Sequence, residues 1–303
     1  MDKRDVYCPY GIVRDPAAFG ARAIEHDSYF GMQHAVLGDR DGPLTIFVHG
    51  MGGTWSSWTP LLQTAAAEGV TLDRFLLVDL PGFGKSENLR GALELSAIAD
   101  MLLAVTESIT SEPVALVGQS IGGFFVLAMA AMHPDKVRSV TSLAGSFQQL
   151  MTYARHPSLL LRQHPVTVAG TAVSAALSRL GSPGARARRF LRRMGMPDLF
   201  AQVTAHPEQL DPSVTAALSS GFSFPNFART LAAGRSYADN DFWPRIQCPV
   251  DLLWGEHDSL VPPSEAALMR ELLPSAGATV VADAAHIMHI ERPYAVLDRM
   301  GRG

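Results

Sequence analysis

Residues 114–131 read VALVGQSIGGFFVLAMAA, and the fold turns on them. VALVG is a short β-branched, apolar run of the kind that forms a buried strand. IGGFFVLAMAA has no breaker before Pro134, so a helix begins near Ile121 and ends ahead of that proline. Between them stands Gly118-Gln119-Ser120-Ile121-Gly122, a G-x-S-x-G pattern on a strand-to-helix turn. Glycines two residues either side leave room for a sharp turn that lifts the Ser120 hydroxyl to the carboxyl edge of a sheet. The alternative is a glycine-rich helix start with Ser120 as a plain N-cap.

Working outward, strand-like runs alternate with helical patterns. The runs are TIFVHG (45–50), FLLVDLPGFGKS (75–86), VRSVTSLAG (137–145), PVDLLWGEHD (249–258) and ATVVADAAH (278–286). Ile98, Met101, Leu102, Val105 and Ile109 recur at helical spacing. PPSEAALMRELL (262–273) reads as a helix with proline in its first turn, and RPYAVLDRM (292–300) as a short last helix. The alternation predicts an α/β fold with a mostly parallel sheet and crossover helices. Residues 146–243 break the pattern. They contain no clear buried strand and hold seven prolines among helix-like pieces, so they read as an inserted helical subdomain. The expected organisation is a discontinuous core, 1–145 and 244–303, interrupted by a lid, 146–243.

Composition narrows the function. The chain has 303 residues, 47 % apolar, with a formal net charge of −4, which gives no bulk attraction for nucleic acid. Cys8 and Cys248 are too few for a disulfide framework or a Cys-rich zinc site. The longest apolar runs, 121–132 and 166–177, are well short of the roughly 20 residues of a membrane span. The first residues lack the apolar stretch of a secretory signal, so a cytoplasmic protein with no membrane partner is expected. The charge is uneven. Residues 146–243 hold ten arginines, no lysine and five acids, a surplus of five positive charges, and the rest of the chain carries −9. The densest part is RARRFLRR, 186–193.

A serine hydroxyl needs a base, and the base needs an acid that orients it. His286 comes directly after the last expected strand and Asp258 after the one before it. Reacting groups in such sheets gather at the strands' carboxyl ends. Ser120, Asp258 and His286 are therefore the expected catalytic set. His289 and His257 compete for the base and Glu256 for the acid. The developing oxyanion needs N–H donors. His49-Gly50-Met51-Gly52-Gly53 follows a core strand, and the amides of Met51 and Ile121 are the expected donors. His49 is expected to brace the loop, and Trp55 and Trp58 either to shape the pocket mouth or to pack the next helix. Phe147, Phe222 and Trp243 are expected to line an apolar substrate pocket.

HGMGG, DLPGFGKS, GQSIGG with HPDKV after it, WGEHDSLVP and AHIMHIERP together resemble the α/β-hydrolase superfamily, in the right order over about two thirds of the chain. The resemblance implies an eight-stranded, mostly parallel sheet flanked by helices, a Ser120-Asp258-His286 triad, an oxyanion hole at Met51 and Ile121, a lid at 146–243, and a structural Asp79. Serine at 120 argues against the similar dehalogenases and epoxide hydrolases, whose nucleophile is aspartate. The expected function is a serine hydrolase that cleaves an ester or thioester of a small apolar or aromatic substrate. It would use no cofactor or metal. The basic lid would suit an anionic carrier or coenzyme A thioester. Carbon–carbon bond hydrolases resemble the chain in size and lid position, but usually carry tryptophan where this chain has Ile287. A biosynthetic cyclase, a perhydrolase, a hydroxynitrile lyase and a hydrolase-fold binding protein are the alternatives on the same scaffold.

Overall fold

Most of the central strands are largely apolar because both faces of the sheet are covered, VRSVTSL (137–143) being the exception. They are β3 (Leu44–Val48), β4 (Arg74–Val78), β5 (Val114–Gln119), β6 (Val137–Leu143) and β7 (Val250–Gly255). Phe47, Val48, Leu76, Leu77, Val78, Val114 and Leu143 are all wholly or almost wholly buried. A computed structural model describes residues 6–300 except 71, 73, 89, 91–93, 146–151, 153–155, 164, 166–202 and 222–239. It adds β1 (Ala21–Ser28), β2 (Gly31–Asp39) and β8 (Gly277–Val281). The eight strands lie in the order β1-β2-β4-β3-β5-β6-β7-β8, and β2 alone runs against the others.

The crossovers fix where the helices lie. From β3 the chain passes through α1 (Thr59–Ala67) outward to β4, then through α2 (Leu95–Glu107) back past β3 to β5. Right-handed connections that step in opposite directions put their helices on opposite faces. The next helix, α3 (Ile121–Met132), continues in the direction of α2 and packs beside it. Helix α4 (Pro157–Gln163) and helix α5 (Pro212–Gly221) are the α-helices described between β6 and β7. Helix α6 (Glu265–Leu272) joins β7 to β8. Helices α7 (Met288–Glu291) and α8 (Pro293–Met300) follow, with α8 returning to α1.

Four expectations need correction. The strand read as 278–286 stops at Val281, because Asp283 adopts a positive φ of 52° and its N–H turns to Glu256 Oε2 at 3.0 Å. His286 therefore sits on a turn past the strand rather than at its end. The helix read from Pro262 begins at Glu265, with Pro262 and Pro263 just before it. The β1–β2 hairpin was not anticipated: β1 is an edge strand with no buried residue, so ARAIEHDS carries no apolar signal. Trp243 lines no pocket. It is 0 % exposed, stacks on Phe242 at 4.3 Å and meets the Phe124 ring, as the 3-10 turn Asn240–Arg245 packs on α3. Phe147, Phe222 and the arginines of 186–193 lie outside the described residues.

Candidate active site

The strand order reverses at β3, between β4 and β5. A crevice opens at such a switch point, outside the strands' carboxyl ends. Ser120 follows β5 there and the HGMGG loop follows β3. Ser120 has φ 56° and ψ −128°, a region a side chain occupies only when its surroundings enforce it. The enforcement comes from close packing. A Cβ on Gly122 would lie 2.2 Å from the Val48 carbonyl oxygen, and one on Gly118 2.4 Å from that of Gly122. The glycines thus let α3 start directly against β3, and the turn between has no room to relax. A Cβ on Gly50 would come within 2.7 Å of Ser120 Cβ, so the HGMGG loop lies against the serine.

Ser120, Asp258 and His286 converge and are all buried. His286 Nδ1 is 2.8 Å from Asp258 Oδ2, and His286 Nε2 is 2.8 Å from Ser120 Oγ. A carboxylate only accepts, so Nδ1 carries the proton and Nε2 offers its lone pair to the hydroxyl. The other oxygen of Asp258 accepts the N–H groups of Leu260 at 2.8 Å and Val261 at 3.0 Å, which fixes the carboxylate. Burial pulls the basicity of His286 down. The charge and hydrogen bond of Asp258 outweigh it, and the imidazole sits above its ordinary pKa.

The oxyanion side is equally constrained. Ile121 is the first residue of α3, so its N–H has no acceptor within the helix. In the HGMGG loop, Gly53 N–H closes on Gly50 O at 3.0 Å, and Met51 N–H makes no backbone hydrogen bond among the described residues. His49 braces the loop, as expected. Leu80 N–H donates to its Nε2 at 3.0 Å, so its proton is on Nδ1, which donates to Gly50 O at 2.7 Å. Burial keeps this ring neutral. Asp79 lies below the loop with His34 Nδ1 at 2.8 Å and Trp55 N–H at 2.7 Å, and also accepts Lys85 N–H at 3.1 Å. Burial works to raise its pKa, but these donors hold the carboxyl below its usual range. It is tied into loops and is separate from the His286 relay.

The competing residues lie elsewhere. His289 is buried against the Trp58 ring at 4.6 Å, and burial depresses its pKa to about 3. It makes no hydrogen bond. Glu256 and His257 are about half exposed and face each other at 4.0 Å. Trp58 is core, whereas Trp55 borders a cleft of about 540 Å³. Gly52, Gly53, Phe83, Val214, Leu218 and Ile290 also line this cleft, beside the Met51 loop. Among the described residues, no cluster of three or more His, Cys, Asp or Glu side chains could hold a metal ion. No described helix is long and apolar enough to cross a membrane.

One residue escaped the sequence reading. Glu291, five positions after His286, is 0 % exposed. Its signal was a carboxylate inside the apolar run HIMHIERP, which reads as the start of a surface helix. Its buried partner Tyr7 is 284 positions away in sequence.

Known proteins resemble the chain in sequence and in fold. The profile of a family described as "alpha/beta hydrolase fold" matches residues 43–293. The pimeloyl-[acyl-carrier protein] methyl ester esterase of Chromobacterium violaceum is 30 % identical over 245 residues, 78 % of this chain and 84 % of that protein. The pyrrolizixenacetamide deacetylase of Xenorhabdus hominickii is 26 % identical over 255 residues, 84 % of this chain and 88 % of that protein. In structure, the naproxen esterase of Bacillus subtilis aligns with a TM-score of 0.65 at 18 % identity, covering 93 % of this chain and 90 % of that one. An enol-lactonase of Burkholderia xenovorans aligns at 0.65 and 19 % identity, covering 89 % and 95 %. By profile, by relatives and by fold, the chain belongs to the alpha/beta hydrolase family of enzymes.

Proposed function

We propose that the chain is a serine hydrolase that cleaves a carboxylic ester or thioester through an acyl-enzyme. The observation that carries this reading is the pair of 2.8 Å contacts linking Ser120, His286 and Asp258 in a buried site. His286 Nε2 takes the Ser120 proton as Oγ bonds to the carbonyl carbon, and the carbonyl π electrons move onto oxygen. The Met51 and Ile121 amides receive that oxyanion. Collapse expels the alcohol or thiol, which leaves with the proton from His286. Water then attacks the acyl-enzyme, gives a proton to His286, and Ser120 departs with it. Asp258 keeps the imidazole in the required tautomer and stabilises its charged form. No cofactor or metal enters these steps.

The substrate is an acyl group of modest size with an apolar or aromatic portion. The esterases among the relatives support this; the cleft of about 540 Å³ does not bear on it, because none of Ser120, Asp258 and His286 lines it and Arg14, His34, Asp79 and Lys85 do. We assign residues 146–243 the role of a lid. Support comes from the described part: Val203 O accepts His286 N–H at 3.1 Å, and α5 supplies Val214 and Leu218 to the cleft. A carrier-linked or coenzyme A thioester is the favoured anionic form, met by the arginines of 186–193. The relatives named for a pimeloyl-[acyl-carrier protein] methyl ester support a carrier-linked acyl chain, with the methyl ester rather than the thioester as the bond cleaved.

The test is one panel of acyl esters, acyl thioesters, a carrier-linked ester at two salt concentrations and a vinylogous diketone, with Ser120→Ala as the blank. Ester or thioester turnover should fall by roughly 10⁴-fold in that variant. Carrier-linked turnover should drop steeply with salt. Diketone cleavage with poor ester turnover would overturn the substrate class. Near wild-type turnover by Ser120→Ala would overturn the nucleophile.

A further inference from the structure

We propose that Glu291 is a positioning residue for the catalytic histidine, a second buried carboxylate that holds the His286 turn in place and lies behind the imidazolium formed during turnover. This rests on the reading of His286 as the base. Glu291 Oε1 accepts Tyr7 O–H at 2.5 Å and Ala205 N–H at 2.7 Å, and Oε2 accepts Ala285 N–H at 2.8 Å. Burial pushes the Glu291 carboxyl above its usual range, and the three donors work against that by satisfying the ionised form. Among the described residues no arginine or lysine forms an ion pair with Glu291. The Arg292 guanidinium lies 5.4 Å from the centre of the Tyr7 ring and pairs with Asp283, and His286 adds a further charge when it is protonated.

The geometry around His286 shows what Glu291 controls. The His286 N–H donates to Val203 O at 3.1 Å, and His286 O accepts Gln119 Nε2 at 2.9 Å, from the residue beside the nucleophile. The preceding peptide is held on both sides, its Ala285 N–H by Glu291 and its Ala284 O by His257 N–H at 2.9 Å. The same carboxylate binds Ala205, two residues beyond Val203. Tyr7 bridges further, accepting His206 N–H at 3.0 Å. One buried charge therefore registers the histidine turn against residues 203–206 and against the N-terminal segment. A shift of about 1 Å in a reacting group costs on the order of 10²-fold in rate.

The titratable groups involved can be named. His286 faces Asp258 from the loop after β7 and Ser120 from the turn after β5, and it senses Glu291 and His289 from α7. Glu291 meets Tyr7, with Cys8 from the same segment nearby. On the far side of Tyr7, the His206 ring and Arg292 pair with Asp283.

The test is the pH profile of Glu291→Gln in the full chain. Glutamine keeps the size and two of the three contacts, but opposes one N–H with another and removes the charge. We expect kcat to fall roughly 10- to 100-fold with KM within about threefold. The acid limb of kcat/KM should move to lower pH by roughly half a unit or more, because imidazolium loses a stabilising charge. Tyr7→Phe removes one donor and keeps the charge, so it should lower the melting temperature and leave the limb in place. A folded Glu291→Gln with wild-type kcat and limb overturns the proposal, as does an equal limb shift in Tyr7→Phe. If Glu291→Gln does not fold, Glu291→Asp decides. A kcat lowered about fivefold or more, with the limb unmoved, supports the proposal, and an unchanged kcat overturns it. Loss of the parent reading would show separately, as wild-type turnover that survives Ser120→Ala.

Discussion

At Ser120 the chain spends conformational energy to expose a hydroxyl. A non-glycine residue at φ 56° and ψ −128° carries about 1–3 kcal/mol of strain. Ser120→Gly and Ser120→Ala lose the same hydroxyl, but glycine relieves the strain. The glycine variant should therefore be the more stable by about 1 kcal/mol in urea denaturation, with both inactive. The histidines at 286 and 289 pull stability in opposite directions. His286 has a raised pKa, so its contribution is full below the unfolded value near 6.5 and is lost as pH rises through the folded value. His289 titrates near 3 when folded, so the unfolded chain takes up an extra proton between pH 6.5 and 3, and stability declines on acidification. His289→Leu should make that decline shallower, as measured by denaturation from pH 7 to 4. The serine was legible because its strand, turn and helix are contiguous. Glu291 was not, because what makes it buried comes from Tyr7 and Ala205, distant in sequence.

Among the elements, the approach of α3 to β3 is the critical distance. At Gly122 the clashing atoms are the carbonyls of Val48 and His49, which belong to backbone and cannot swing aside. Gly122→Ala must push α3 away from the sheet, and we expect a loss of roughly 2–4 kcal/mol in chemical denaturation, with activity lost in step. The central strands were readable as elements because burial on both faces makes most of them largely apolar runs. The β1–β2 hairpin was silent because β1 is an edge that needs no such run and β2, though buried, interrupts its apolar residues with Gln33 and His34. The β8 boundary was misplaced for a related reason. VADAAH continues the small and apolar character of the strand, while the chain leaves the sheet at a positive-φ aspartate that the composition does not announce.

For the whole molecule, the main core is completed by a second, smaller one. Tyr7, Cys8, Val214, Ile287 and Ile290 form it, with Ile12, Leu210 and Leu218 around the edge. The segment from Tyr7 to Val13 is sewn across by Cys8 N–H to Glu291 O at 2.8 Å, Tyr10 to Tyr294 at 3.0 Å, Ile12 N–H to Ser213 Oγ at 2.8 Å and Val13 N–H to Thr59 Oγ1 at 3.0 Å. Deleting residues 1–13 should lower the melting temperature by several degrees and reduce kcat, since the turn that holds His286 loses one wall. A thermal melt paired with ester turnover checks both. None of this was readable from the N-terminal sequence, whose apolar residues are scattered and whose partners lie far along the chain, at Thr59 and past residue 200. The same connections impose an order of events during synthesis. Tyr7 leaves the ribosome early and waits for Glu291, so contacts of very long sequence separation must form late. Until they do, a nascent chain has Ser120 and the HGMGG loop in place but not the His286 turn braced against residues 7–13. On the proposed mechanism, turnover then reaches its full rate only when the two ends of the described chain have met.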